Sequence, residues 1–168
     1  MTDVLTPAQR RLNMQRIRGR DTAPEMTLRR LLHAGGFRYR LHDKKLPGRP
    51  DLVFSRFGVA MFVHGCFWHG HGCPNFKLPV TRREFWEMKI AGNKARDKRT
   101  CSALLDAGWR ILTVWECSLK GPGRLTAESI ARQCERFISG RQQELEISGN
   151  RMASGPEKQT GARQKEPT

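Results

Sequence analysis

No stretch of the chain approaches the ~18 to 20 apolar residues of a membrane span, and Met1-Thr2-Asp3-Val4-Leu5-Thr6-Pro7 lacks a signal peptide's apolar core. A membrane or secreted protein is therefore not expected, and a cytoplasmic chain keeps its thiols reduced. Disulfide staples are not needed either. A chain of 168 residues hides roughly two-thirds of its unfolded surface, so its five cysteines read as metal ligands and core thiols. Internal repeats are absent, which excludes a stacked-repeat architecture. Acids are scarce: 16 Asp and Glu face 31 Lys and Arg, leaving +15.

That excess is not carried by a tail. Residues 1–140 hold 26 bases against 12 acids, whereas from Arg141 onward five bases meet four acids. The positive surface belongs to the part able to fold, and a polyanion, most commonly nucleic acid, is its natural partner. From Ser148 the chain has no aromatic or β-branched aliphatic residue and cannot offset the entropy of ordering. Three regions are expected: a basic arm over 1–20, rich in Arg10, Arg11, Arg16, Arg18 and Arg20; a folded domain over 21–140; and a disordered tail over 141–168.

Helix signals punctuate the middle region. Thr22-Ala23-Pro24-Glu25 is a capping box with proline in the first turn, and Gly35-Gly36 stops that helix. Thr81-Arg82-Arg83-Glu84 repeats the pattern before a long helix ending at Gly108. Thr126 caps a third helix, with Leu125 and Ile130 as a hydrophobic staple and Gly140 as the stop. Leu52–Phe54 and Val59–Val63 read as a hairpin around Ser55–Gly58, and Arg110–Trp115 as a buried strand. Helix, hairpin, helix, strand and helix predict an α/β sandwich around a small mixed sheet.

Three constellations carry chemistry. In Gly48-Arg49-Pro50-Asp51 an acid enters the hairpin, where a charge is costly unless it is paired or metal-bound. His64 leaves the partner strand at the same end of the sheet. A carboxylate there suits Mg2+, which activates water and offsets phosphodiester charge; Glu25 is a second acid for the ion's hydration shell. Asp51 as a turn acid and Glu25 as a cap alone are the plain alternatives. The second constellation gathers Cys66, His69, His71 and Cys73, thiols and imidazoles suited to tetrahedral Zn2+. Cys117 is the best-placed further thiolate, while Cys101 and Cys134 read as core thiols. Spacing leaves open which of His64, His69 and His71 is the ligand. The third is aromatic: Phe67 and Trp68 share the cysteine loop, and Phe85 and Trp86 open the long helix. Rings on a rigid loop of a basic protein can wedge between base pairs; Phe85 is expected in the core.

Leu46-Pro47-Gly48-Arg49-Pro50-Asp51, His64-Gly65-Cys66-Phe67-Trp68-His69, Phe85-Trp86, Asn93, Arg96-Asp97 and Trp115-Glu116-Cys117 resemble, in order, the motifs of the very short patch repair (Vsr) mismatch endonuclease family. The resemblance covers roughly residues 10 to 140. It implies a restriction-endonuclease-like fold of the PD-(D/E)xK type, although the usual acid-x-Lys here reads Phe62-Val63-His64. It also implies Mg2+ on Asp51 and the main-chain carbonyl of Val63, with His64, His69, Glu25 and Asp97 around the scissile phosphate and His69 as general base. Zinc would be held by Cys66, His71, Cys73 and Cys117, and Phe67, Trp68 and Trp86 would enter the DNA stack. Val63 stands where the family carries threonine, and Gly70 and Gly72 where it can carry histidine.

The expected activity is a strand-specific nick 5′ to the T of a T:G mismatch left by deamination of 5-methylcytosine. The expected setting is a bacterial cytoplasm, associated with the nucleoid. The substrate would be double-stranded DNA, with mismatch-repair proteins as further partners and a monomer as the working unit. The alternatives are a restriction-type nuclease of the same fold and a non-catalytic zinc-containing DNA-binding module, the latter disfavoured by Asp51, His64 and His69 together.

Overall fold

Thr22 opens the first helix by stepping outside helical geometry while its Oγ1 accepts the Glu25 N–H at 3.4 Å. The Glu25 carboxylate in turn accepts the Thr22 N–H at 3.3 Å, so the capping box closes both ways. Helix α1, Ala23–Ala34, follows. The computed structural model describes residues 19–150 together with 6, 8, 9 and 12. The remainder of the basic arm and residues 151–168 lie outside the described residues.

Strand β1 is Arg40–Leu41, β2 is Leu52–Phe54 and β3 is Val59–His64. A 3-10 turn over Ser55–Phe57 and a left-handed Gly58 join β2 to β3, pairing Leu52 with Met61 and Phe54 with Val59. Helix α2, Arg83–Asp106, leads into β4, Arg110–Trp115. A short α3, Glu116–Leu119, then precedes α4, Ala127–Ser139, and β5, Glu144–Ile147. The sheet runs β1-β2-β3-β4-β5, antiparallel from β1 to β3 and parallel from β3 to β5.

The period-two alternation of strands divides the core between two faces. Val59 and Met61 of β3 join Leu112 and Val114 of β4 against Leu28, Leu32, Ile130 and Phe137 of α1 and α4. Ala60, Phe62 and Ile111 meet Leu104 of α2 on the opposite side. This is a mixed α/β sandwich, as expected. Cys134 is buried in the first cluster and Cys101 packs against the second.

Three expectations need correction. Residues 141–168 do not form one disordered tail, because Glu144–Ile147 pair with Ile111–Val114 and Ile147 is buried in the main core. Leu145 and Ile147 alternate with Glu144 and Glu146, a strand pattern that the charged residues obscure. The second capping box does not form: Arg82 is the N-cap at φ 55°, and no side chain caps the helix. That left-handed residue leaves Thr81 one position outside the helix entry. Phe85 is not core either. It is 39% exposed, because the first turn of α2 is exposed throughout residues 82–85, and the Arg82 guanidinium lies 4.4 Å from the Phe85 ring centre.

Candidate active site and metal centre

Antiparallel pairing sets His42, just past β1, opposite Asp51, just before β2, and the His42 N–H donates to the Asp51 carbonyl at 3.3 Å. The Asp51 carboxylate reaches across to β3, where Oδ2 accepts the Val63 N–H at 2.7 Å. Its Oδ1 lies 3.7 Å from His42 Nδ1, and His42 Nε2 lies 3.2 Å from Oε1 of the buried Glu25. Burial pushes the Asp51 carboxyl up to about 6 against the help of the Val63 N–H, and the nearby Glu25 adds to the rise. Glu25 is paired with the buried Arg29, so Asp51 is the acid of this corner whose buried charge a cation would offset. The Asp51 carboxylate is the kind of oxygen donor that a hard ion such as Mg2+ would take.

His64 points elsewhere. Its ring lies flat on that of His69, centres 3.8 Å apart and 4° from parallel. His69 Nδ1 is 2.6 Å from Oδ2 of Asp97, on α2. Burial and the neighbouring His69 push His64 down to about 3, so its imidazole is neutral at neutral pH. Burial would raise Asp97, but the His69 hydrogen bond and the nearby Arg96 charge help to offset it, and Asp97 is held below its ordinary range. The structure therefore places the five expected residues in two groups, Asp51 with Glu25 and His64 with His69 and Asp97. They meet at the Val63–His64 peptide.

Beyond β3 the chain turns through Cys66, His71 and Cys73, and β4 delivers Cys117. Donor atoms of these four residues all lie within 4.8 Å of one another. His71 Nδ1 is 3.6 Å from the Cys66 sulfur and 3.5 Å from that of Cys117. Bond lengths of about 2.3 Å to sulfur and 2.0–2.1 Å to nitrogen in a tetrahedron give an edge of about 3.6 Å, so the donors fit one tetrahedral ion. Spacing left the histidine open; here His71 faces the thiols while His64 and His69 face each other. Burial pushes the Cys66 and Cys117 thiols up, even though the Gly149 N–H donates to the Cys117 sulfur at 3.3 Å. A cation is what would hold such buried sulfurs as thiolates. Gly70 closes the loop at φ 61°, where a Cβ would come within 2.6 Å of Ile90 and Lys94.

Phe67, Trp68 and Trp86 form an edge-to-face trio with centres 5.2 to 6.0 Å apart. None joins the three buried core clusters of the described residues. Asn93 of α2 anchors the trio by donating to the Trp68 carbonyl at 2.8 Å.

A family model described as DNA mismatch endonuclease Vsr matches residues 2–75. The DNA mismatch endonuclease Vsr of Escherichia coli K12 is 48% identical over 140 residues, covering 83% of this chain and 90% of that one. A type II nicking enzyme, V.XorIIP of Xanthomonas oryzae pv. oryzae, is 51% identical over 127 residues, 76% of this chain and 93% of that one. The chain belongs to the Vsr family of DNA mismatch endonucleases. It is accordingly a DNA endonuclease, and DNA is its substrate.

Three residues at this Vsr-family site were not singled out from sequence: Asp21, Arg29 and His42. Arg29 follows Glu25 by four positions, a spacing that signals a helical ion pair but here builds a buried one. His42 has no sequence signal, since the two-residue β1 is too short for periodicity.

Proposed function

We propose that this endonuclease nicks one strand of double-stranded DNA 5′ to the T of T:G mismatches produced by deamination of 5-methylcytosine, using Mg2+ at Asp51 and the Val63 carbonyl. Structural zinc would be held by Cys66, His71, Cys73 and Cys117. The observation that carries the reading is the aromatic trio, which stands outside the buried core clusters, with Phe67 and Trp68 on the same loop as His69, and Trp86 facing them from α2. A T:G wobble stacks less favourably than a matched pair, so wedging rings beside it costs less deformation, and that difference becomes selectivity. The acid at the mouth of a hairpin in a mixed sheet is in keeping with a restriction-endonuclease-like fold.

In this mechanism Asp97 accepts a hydrogen bond from the His69 Nδ1–H, which keeps the ring proton on Nδ1 and leaves Nε2 as the basic atom that takes the proton of the attacking water. Neutral His64, stacked on His69, holds that ring in plane without adding a charge that would repel the proton. Mg2+, when bound, supplies an acidified water and offsets charge on the phosphate. Glu25 and Asp51 orient the hydration around it. Phe67, Trp68 and Trp86 fix the mismatch against the backbone to be cut. A restriction-type nuclease would need no aromatic cluster set outside the core, and a binding module no buried carboxylate.

The test is nicking of T:G and matched C:G duplexes of otherwise identical sequence, with and without Mg2+. The expected result is Mg2+-dependent cleavage of the T strand of T:G alone. Trp68→Ala is expected to lose about ten- to a hundredfold in T:G binding and to narrow the T:G to C:G ratio while keeping its metal content. An unchanged ratio with a collapsed melting temperature would make Trp68 a packing residue instead.

A further inference from the structure

Arg29 is 7% exposed, and its guanidinium is the hub of a network of which the reaction above uses only Glu25. Its Nη1 donates to Oδ1 of Asp21 at 2.7 Å. Its Nη2 donates to Glu25 and lies 2.9 Å from His42 Nε2. Asp21, Glu25 and His42 by themselves look like a three-ligand cation site, but the guanidinium stands among them and supplies the positive charge.

Arginine has donors and no acceptor. His42 Nε2 faces Arg29 Nη2 at 2.9 Å and, farther off, Glu25 Oε1 at 3.2 Å; the closer contact is made when Nε2 offers its lone pair to the guanidinium, which places the imidazole proton on Nδ1. That nitrogen faces Oδ1 of Asp51 at 3.7 Å, while Oδ2 is already held by the Val63 N–H. We infer that Arg29 and His42 are positioning residues for the Asp51 carboxylate: the guanidinium fixes the imidazole tautomer, and the imidazole turns Nδ1–H toward Oδ1. The inference rests on reading Asp51 as a divalent-ion ligand.

Two features set this network apart from an ordinary surface ion pair. Asp21 and His42 both hold left-handed backbone, at φ 55° and 47°, a conformation that non-glycine residues seldom keep unless their surroundings impose it. Arg29 Nε is buried without a hydrogen-bond partner, a desolvation cost that an exposed arginine would avoid. Partners behind a metal ligand typically alter metal affinity by about ten- to a hundredfold.

The test uses the full chain without DNA, with Mn2+ as the probe and its binding followed by electron paramagnetic resonance. Asp51→Asn is expected to abolish tight Mn2+ binding. His42→Ala is expected to raise the Mn2+ dissociation constant about tenfold, and His42→Gln, which retains a donor, to recover part of the loss. Long-range proton–nitrogen spectra of the wild type should show the His42 ring protonated at Nδ1. Wild-type Mn2+ affinity in His42→Ala, alongside lost binding in Asp51→Asn, overturns the positioning role. A His42 ring protonated at Nε2 overturns the part given to Arg29. If Asp51→Asn binds Mn2+ like the wild type, the reading of Asp51 as ligand fails, and this inference with it.

Discussion

The Asp51 carboxyl sits behind the Val63 N–H and beside Glu25, and burial moves its ionisation up from 3.8 to about 6. Without a divalent ion, the folded chain therefore binds a proton there more tightly than the unfolded chain does. Its contribution to stability is present below the unfolded value and is lost as pH rises through about 6. With the side chain 19% exposed, the loss is about 2 kcal/mol at neutral pH. Asp51→Asn should accordingly melt several degrees higher than wild type near neutral pH without added divalent ion, while losing nicking activity if Asp51 holds the ion as proposed. The gap should close at a pH below the ordinary aspartate range. Calorimetry at the two pH values checks this, and equal melting temperatures near neutrality would contradict a buried charge. Residues whose role follows from nearest neighbours in the chain were legible at this scale, such as Thr22 with Glu25. His42 was not, because its partners come from an antiparallel pairing and from a separate helix.

The elements that announced themselves carry local punctuation. Helix α1 has its cap and proline, the β2–β3 hairpin its Gly58 turn, and α4 its Thr126 cap, where Oγ1 accepts the Ser129 N–H at 3.2 Å. Strand β5 and the entry to α2 were hidden for opposite reasons. Half of β5 is charged, so only its pairing with β4 reveals it, while the Thr81 pattern promised a cap that the left-handed Arg82 displaces. Strand β5 also matters to the metal centre, since Gly149 just beyond it donates to Cys117. A chain ending at Asn150 should therefore melt like the full chain. One ending at Gln143 loses the buried Ile147, worth about 3 kcal/mol, and should melt about 10 °C lower with less bound metal. Equal melting temperatures for the two truncations would show that β5 adds nothing.

Seen whole, the chain gathers its chemistry at one end of the sheet, where the parallel strands β3 and β4 both terminate. The sandwich was legible because its apolar runs and turns alternate in order. Of the meetings between residues far apart in sequence, Cys117 with the cysteine loop and Asp51 with the end of β3 were legible from the order of the elements, while Asp97 with His69 was legible only through family resemblance. Cys117→Ser should lower bound zinc below one equivalent, measurable by elemental analysis, and reduce both stability and activity, because ion binding and folding are coupled. A soluble variant with full zinc content and unchanged melting temperature would move the fourth ligand elsewhere.

The step between β3 and β4 has a consequence in time as well as in space. Val63 pairs with Val114 and His64 with Trp115, and continuing that step brings Cys66 level with Cys117. Cys66, His71 and Cys73 are close enough in sequence to collect an ion in an early, unstructured chain. Cys117 arrives only when a distant parallel pairing forms, the kind of contact that slows folding. An ion bound by all four donors would therefore complete its tetrahedron only with the arrival of β4, and the nuclease end would then be expected to assemble late during refolding.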